Sequence, residues 1–248
     1  MLSVIIITKN EESHIEKCLE SVKWADEIIV LDSGSTDKTV EICQQVTPHV
    51  FETDWQGFGI QKQRALNKAT SNWVLSIDAD EIVTRELRTE IEQSISHNQY
   101  DAFLLPRLSN YCGQPIKHGG WYPDYILRLF RRELGEVSNA IVHEKIIVNG
   151  NIGKLKTPIL HDSYKDFAEV LRKMDSYSTL GAQLLHEKEG VKSSLSKAIL
   201  KGFWTFFRTY ILKRGFLDGT HGFMLAIYNG ETTYYKYLKL WELRNENN

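Results

Sequence analysis

Cysteine is scarce, and Cys18, Cys43 and Cys112 form an odd, widely spaced set with no CxxC pair. That pattern supports neither a disulfide framework nor a cysteine-rich zinc site, and it suits a reducing cytoplasm. Long apolar runs are missing as well. The first run, over residues 4–7, is followed by Lys9, Asn10, Glu11 and Glu12, the wrong flank for a secretion signal. The best candidate for a spanning helix is interrupted by Lys201, Arg208, Lys213 and Arg214. Any meeting with a membrane is therefore expected at its surface. Nor is there an excess of one charge: a formal net charge of -2 provides no chain-wide field of the kind that attracts nucleic acid, so no nucleic-acid partner is expected. Repeats and low-complexity segments are absent.

What is present is an ordinary globular composition, 42% hydrophobic and 25% charged over 248 residues. That is enough for one sizeable core and an appendage. Through the first third, short Val- and Ile-rich runs alternate with segments of helical period, the pattern of βαβ units and a parallel sheet. A strand over 3–8 is followed by a helix with Ile15, Cys18, Leu19 and Val22 on one face. A second strand over 27–32 precedes a helix that buries Val40 and Cys43. A strand near Val50, a helix over about 60–69 and a strand over 73–77 come next. After Tyr100 mixed strands and aromatic loops begin, and from Tyr164 the pattern turns helical and basic. The expected division is 1–163, with halves of about 1–98 and 99–163, and an extension over 164–248.

In open parallel sheets, ligands sit beyond the carboxyl ends of the strands. Three such ends carry polar clusters here: residues 8–12, 32–37 and 78–81. Asp78-Ala79-Asp80 places two carboxylates at the mouth of a strand, where they can share a hard divalent cation with a diphosphate. In isolation the same tripeptide can simply favour a helix N-terminus. Asp32-Ser33-Gly34-Ser35-Thr36-Asp37 can form an Asx-type turn and helix cap. Equally, Asp32 can accept the imide N–H of a uracil, with Gly34 allowing close approach of backbone to ligand and Thr8 facing the same base.

Taken in order, Ser-Val-Ile-Ile-Ile-Thr-Lys-Asn-Glu-Glu, Leu-Asp-Ser-Gly-Ser-Thr-Asp and Ile-Asp-Ala-Asp-Glu resemble the family 2 glycosyltransferases of GT-A fold. The resemblance implies a Rossmann-like, mixed and mainly parallel sheet flanked by helices, with a helical C-terminal extension. It implies that Thr8, Glu11 and Asp32 hold the nucleoside, with Asn10 and Ser33 in the same two motifs, and that Asp78 and Asp80 serve ribose, diphosphate and a divalent Mn or Mg ion. Gln63 stands where many relatives carry Asn. Further on, Gly120-Trp121-Tyr122-Pro123-Asp124, Arg128-Leu129-Phe130-Arg131-Arg132, Val142-His143-Glu144, Leu160-His161-Asp162-Ser163-Tyr164 and Lys213-Arg214-Gly215-Phe216-Leu217-Asp218-Gly219 are similar to a narrower group. These are bacterial lipooligosaccharide core β-1,4-glucosyltransferases acting on heptose.

Inversion at the anomeric carbon requires one general base on the acceptor side. Glu144 is expected in that role, with Asp124 as the alternative base or an acceptor ligand. His161 can complete a metal shell, bind diphosphate or sit satisfied in the core. His118 lies in a Gly-rich loop where acceptor contact is possible. Arg128, Arg131 and Arg132 suit phosphates or a solvated strand edge. Trp121 and Tyr122 suit a sugar face or a core edge.

Between Lys197 and Arg214 a broad apolar face is edged by cations, the pattern of an interfacial helix or of one packed on the protein or a partner copy. The expected activity is transfer of a hexose, glucose from UDP-glucose, to a lipopolysaccharide inner-core heptose. The expected partners are a UDP-sugar donor, a lipid-linked oligosaccharide acceptor and the cytoplasmic face of the inner membrane. Transfer to polyprenyl phosphate and a non-catalytic nucleotide-binding scaffold are the competing readings.

Overall fold

The computed structural model describes residues 1–138, 145–188 and 190–245. Its first part alternates as the sequence pattern requires: β1 (Leu2–Thr8), α1 (Ile15–Val22), β2 (Glu27–Asp32), α2 (Thr39–Gln44), β3 (Val50–Glu52), α3 (Phe58–Leu66) and β4 (Trp73–Asp78). β1 lies between β2 and β4 and runs parallel to both, and β3 lies beside β2. All seven residues of β1 are buried, as expected of a parallel strand covered on both faces. Its side chains alternate: Val4 and Ile6 pack with Ile15, Cys18, Leu19 and Val22 of α1, whereas Ile5 and Ile7 pack with Ala65 and Leu66 of α3. In α2 the buried residues are Thr39 and Cys43, and Val40 is only half-buried. The polar Thr39 goes inside because its hydroxyl donates to Asp37 Oδ1 at 2.6 Å and accepts the Glu11 amide at 2.8 Å.

The sheet then becomes mixed. After β5 (Glu81–Ile82) and α4 (Arg85–His97) come β6 (Ala102–Tyr111), β7 (Gln114–Pro115), β8 (Asp124–Arg131), β9 (Gly135–Val137), β10 (Ile146–Val148), β11 (Ile152–Lys154) and β12 (Ile159–Tyr164). β8 inserts antiparallel between β4 and β6, and β5 pairs antiparallel with β12. The main path runs β3-β2-β1-β4-β8-β6-β12-β5. β9 and β10 form a separate ribbon.

The helical part comprises α5 (Phe167–His186), α6 (Leu195–Phe207) and α7 (Gly219–Asn245). Asp166 and Ser194 cap α5 and α6 by accepting the Glu169 and Lys197 amides. α6 meets α7 where two glycines remove side-chain bulk: a Cβ on Gly202 would lie 3.1 Å from the Gly230 carbonyl oxygen. Among the described residues no helix is long and apolar enough to cross a membrane.

The chain forms two compact units, Met1–Arg107 with Asp124–His161, and Leu108–Pro123 with Asp162–Asn248. The segment Leu108–Pro123 thus belongs with the helices, not with the strands that precede it. Tyr111 and Ile116 explain this, because both are buried in one cluster with Tyr164, Val170, Leu225 and Tyr228. The hydroxyls of Tyr164 and Tyr228 hydrogen-bond at 2.7 Å inside that cluster.

Candidate active site

The carboxyl ends of the three central parallel strands are in register, with Thr8 opposite Asp32 and Ile7 opposite Asp78. Neighbouring strands lie about 4.8 Å apart, so these tips occupy one edge of the first unit. The loops after β1 and β2 are stitched together. Asn10, at φ 56°, accepts the Thr36 amide at 2.8 Å and donates its own amide to the Ser35 hydroxyl at 2.8 Å. Glu11 turns its carboxylate to His14 Nδ1 at 3.0 Å.

Asp32 is fully buried, and its Oδ1 accepts the amides of Gly34 and Ser35 at 2.9 and 2.8 Å while the Ser35 hydroxyl donates to Oδ2. These hydrogen bonds display the turn reading of Asp32. Ser33 is likewise occupied, accepting from Gln61 Nε2 at 2.7 Å. Thr8 is different: its Oγ1 is buried and has no hydrogen-bond partner among the described residues. A buried hydroxyl left unpaired costs about 1–3 kcal/mol, so this atom is poised for a polar ligand.

Strand alternation separates the two faces of the edge. Asp78 shares the face of Val74, which packs with the α3 residues Ala65 and Leu66, and Lys62 of α3 reaches it. Lys62 Nζ is 3.1 Å from Asp78 Oδ1, while Arg128 Nη2 donates to Asp78 Oδ2 and, at 2.7 Å, to Glu81 Oε1. Glu81 closes the ring by accepting the Asp78 amide at 2.9 Å. Burial disfavours the Asp78 carboxylate, yet the Arg128 and Lys62 cations outweigh it and hold Asp78 well below the usual carboxylate range. For Glu81, burial is the largest influence and the nearby Asp78 charge adds to it, so its carboxyl is pushed up despite Arg128. Arg128 is pushed above its usual value, because Asp78 and Glu81 overcome the penalty of burial.

Asp78 carries two protein cations, Lys62 and Arg128. Arg128 is a buried tie between carboxylates, although its Nε–H has no partner among the described residues. Arg131 and Arg132 are also structural: Arg131 pairs with Asp101 at 3.3 Å, and Arg132 Nε donates to the Ser71 carbonyl at 3.1 Å.

Asp80 lies apart from this ring, with Oδ2 at 3.2 Å from His161 Nε2. β12 carries His161 there because His161 is the register partner of Glu81 in β5. Among the described residues no three His, Cys, Asp or Glu side chains gather around a common cation position. The donor set still fits a divalent ion that takes its other ligands from diphosphate and water, since adjacent ligands of such an ion lie about 3 Å apart. Asp80 and His161 are the residues that could hold it.

Gln63 is turned away from the tips: its Oε1 accepts the Val137 amide at 2.8 Å, and its Nε2 donates to Asn67 at 2.8 Å. Its neighbours Gln61 and Lys62 face the site, and both are buried. The sequence signal for them was a Gln-Lys pair on the buried face of α3 with Ala65 and Leu66. Asp124 Oδ2 accepts from Arg107 Nη2 at 2.7 Å and from Nε at 3.1 Å. Trp121 packs in the second unit against the rings of Tyr111 and Tyr164, at 6.0 and 5.8 Å, so the core-edge alternative is the one displayed. Glu144 and His143 lie outside the described residues.

The model of glycosyl transferase family 2 matches residues 3–149, which include all three strand-end motifs. The chain belongs to that family. An uncharacterized glycosyltransferase of Rickettsia typhi is 32% identical over 98% of this glycosyltransferase and 87% of its own length. The lipopolysaccharide core biosynthesis glycosyltransferase LpsC of Rhizobium meliloti is 33% identical, covering 91% of this chain and 86% of its own. The crystal structure of S. aureus TarS 1-349 in complex with UDP covers 100% of this chain and 92% of its own, with 16% identity and a TM-score of 0.50. That likeness is one of fold, and the fold is GT-A.

Proposed function

We propose that this glycosyltransferase transfers a hexose, glucose from UDP-glucose, to a heptose of the lipopolysaccharide inner core with inversion at the anomeric carbon. The observation that carries the donor half is the registered edge where Thr8, the Asp78–Arg128–Glu81 ring and the Asp80–His161 pair lie on adjacent elements. Support for the acceptor half is the 33% identity to LpsC along most of both chains. In this reading the Thr8 hydroxyl receives the nucleoside. The loop shaped by Asp32 and Asn10 fits around it, and Lys62 and Arg128 keep Asp78 ionised and fixed beside the ribose. A Mn or Mg ion held by Asp80 and His161 would neutralise charge on the departing diphosphate. The acceptor is lipid-linked, which brings the enzyme to the cytoplasmic face of the inner membrane.

Glu144 is the base that removes the acceptor hydroxyl proton, and Asp124, anchored by Arg107, orients the acceptor. Glu144→Gln is expected to lower transfer by about 100-fold or more while UDP affinity stays unchanged. Full activity of that variant would contradict a hydroxyl acceptor and favour one already ionised, such as polyprenyl phosphate.

A further inference from the structure

Two sequence motifs take no part in the donor site, the His118-Gly119-Gly120 loop and Lys213-Arg214-Gly215-Phe216-Leu217-Asp218. The second unit brings them together. Asp218 accepts the His118 amide at 2.8 Å and His118 Nδ1 at 2.8 Å, and the Gly119 amide donates to the Lys213 carbonyl at 2.9 Å. The Lys213 side chain passes over Gly120, where any Cβ would collide with it. The loop after α6 is thus pinned in place beside the His118-Gly119-Gly120 loop.

Arg208, Lys213 and Arg214 have no carboxylate partner among the described residues. Burial of its stem, with Arg208 nearby, lowers the Lys213 pKa, which marks cations crowded without a counter-charge. From Val191 to Leu217 the chain carries six Lys and Arg residues and no Asp or Glu. The adjoining apolar side chains point outward: Leu200 and Phe203 are each 67% exposed, Trp204 53%, Leu212 56% and Leu217 55%. Leu200, Phe203, Trp204, Phe207 and Ile211 follow helical spacing along α6 and the π-helical turn Arg208–Leu212, on the side away from the Gly202 contact with α7.

We infer that this face, from α6 through Gly215–Asp218, docks on a bilayer of anionic phospholipid. Arg208, Lys213 and Arg214 take the phosphates, and Phe203, Trp204 and Leu212 enter the acyl boundary. A second copy of the same face is a poor occupant, because it would set Lys197, Lys201, Arg208, Lys213 and Arg214 against their own copies, while the one acid of the segment, Asp218, is engaged by His118. The inference deepens the acceptor side of the proposed function, since a lipid-linked substrate lies at that surface. Its test does not depend on transfer.

The full chain is co-sedimented with vesicles of phosphatidylcholine and with vesicles containing phosphatidylglycerol, over a range of salt. Expected is binding that requires phosphatidylglycerol and weakens as salt rises. The combined variant R208Q, K213Q and R214Q should partition roughly 100-fold less, at about fivefold per charge removed. The Phe203→Ser, Trp204→Ser variant should also bind less, with an unchanged circular dichroism spectrum. Equal binding to both vesicle types, binding to neither, or a dimer that the Phe203 and Trp204 changes dissociate would each overturn the inference. Vesicle binding without transfer would instead count against the catalytic reading alone.

Discussion

Thr8 ends β1 with a buried hydroxyl that has no partner among the described residues, directly opposite Asp32, both of whose oxygens are engaged by its own turn. These two residues read alike in the sequence as nucleoside ligands, and only atomic packing distinguishes them. Removing an unsatisfied polar atom while keeping shape is nearly neutral or stabilising, so Thr8→Val should leave the unfolding midpoint unchanged or raise stability by about 1 kcal/mol. UDP affinity of that variant, measured by calorimetry, should fall. A loss of stability with unchanged UDP affinity would remove Thr8 from the site. Arg128 invites the opposite test. It is 4% exposed and joins Asp78 to Glu81, so Arg128→Met leaves the buried Glu81 and the half-buried Asp78 under-compensated. Breaking a buried pair in this way costs about 3–5 kcal/mol, a loss that denaturant unfolding would register.

Glu90 of α4 holds the approach to β12, accepting the amides of Lys156 and Thr157 at 2.8 Å each, and β12 delivers His161 to Asp80. Burial works against its charge, but the Thr157 hydroxyl and the two amides prevail and lower its pKa. A carboxyl lowered on folding contributes stability that is present above its unfolded pKa and lost as pH falls through the folded value. Glu90→Gln should therefore cost about 1–2 kcal/mol near neutral pH and reduce the acid-side slope of stability, as read from unfolding at a series of pH values. At this scale much was legible in advance. The strands ending in Thr8, Asp32 and Asp78 announce themselves by apolar runs between polar ends, and α1 by its four periodic residues. β5, only two residues long, carries no periodicity, yet it places Glu81 in the ring and pairs Glu81 with His161. The rotation of α3, which presents Gln61 and Lys62 instead of Gln63, rests on packing against β1 and β9, which no local pattern encodes.

Across the whole molecule the division of labour follows the two units. The first carries the family 2 motifs on a sheet that is parallel where the polar tips gather and antiparallel where β8 inserts Arg128 beneath them. The second is built on an aromatic cluster and three helices, with a cationic, apolar face turned outward. The unit boundary was only partly readable: Leu108–Pro123 joins the helices through Tyr111 and Ile116, long-range contacts that composition does not signal. Titration calorimetry of the intact chain with UDP, with manganese present or removed by chelation, tests the central claim most directly. The account predicts one UDP per chain, tighter with manganese, and loss of the manganese effect in Asp80→Asn. Failure to bind UDP with the metal supplied would contradict it.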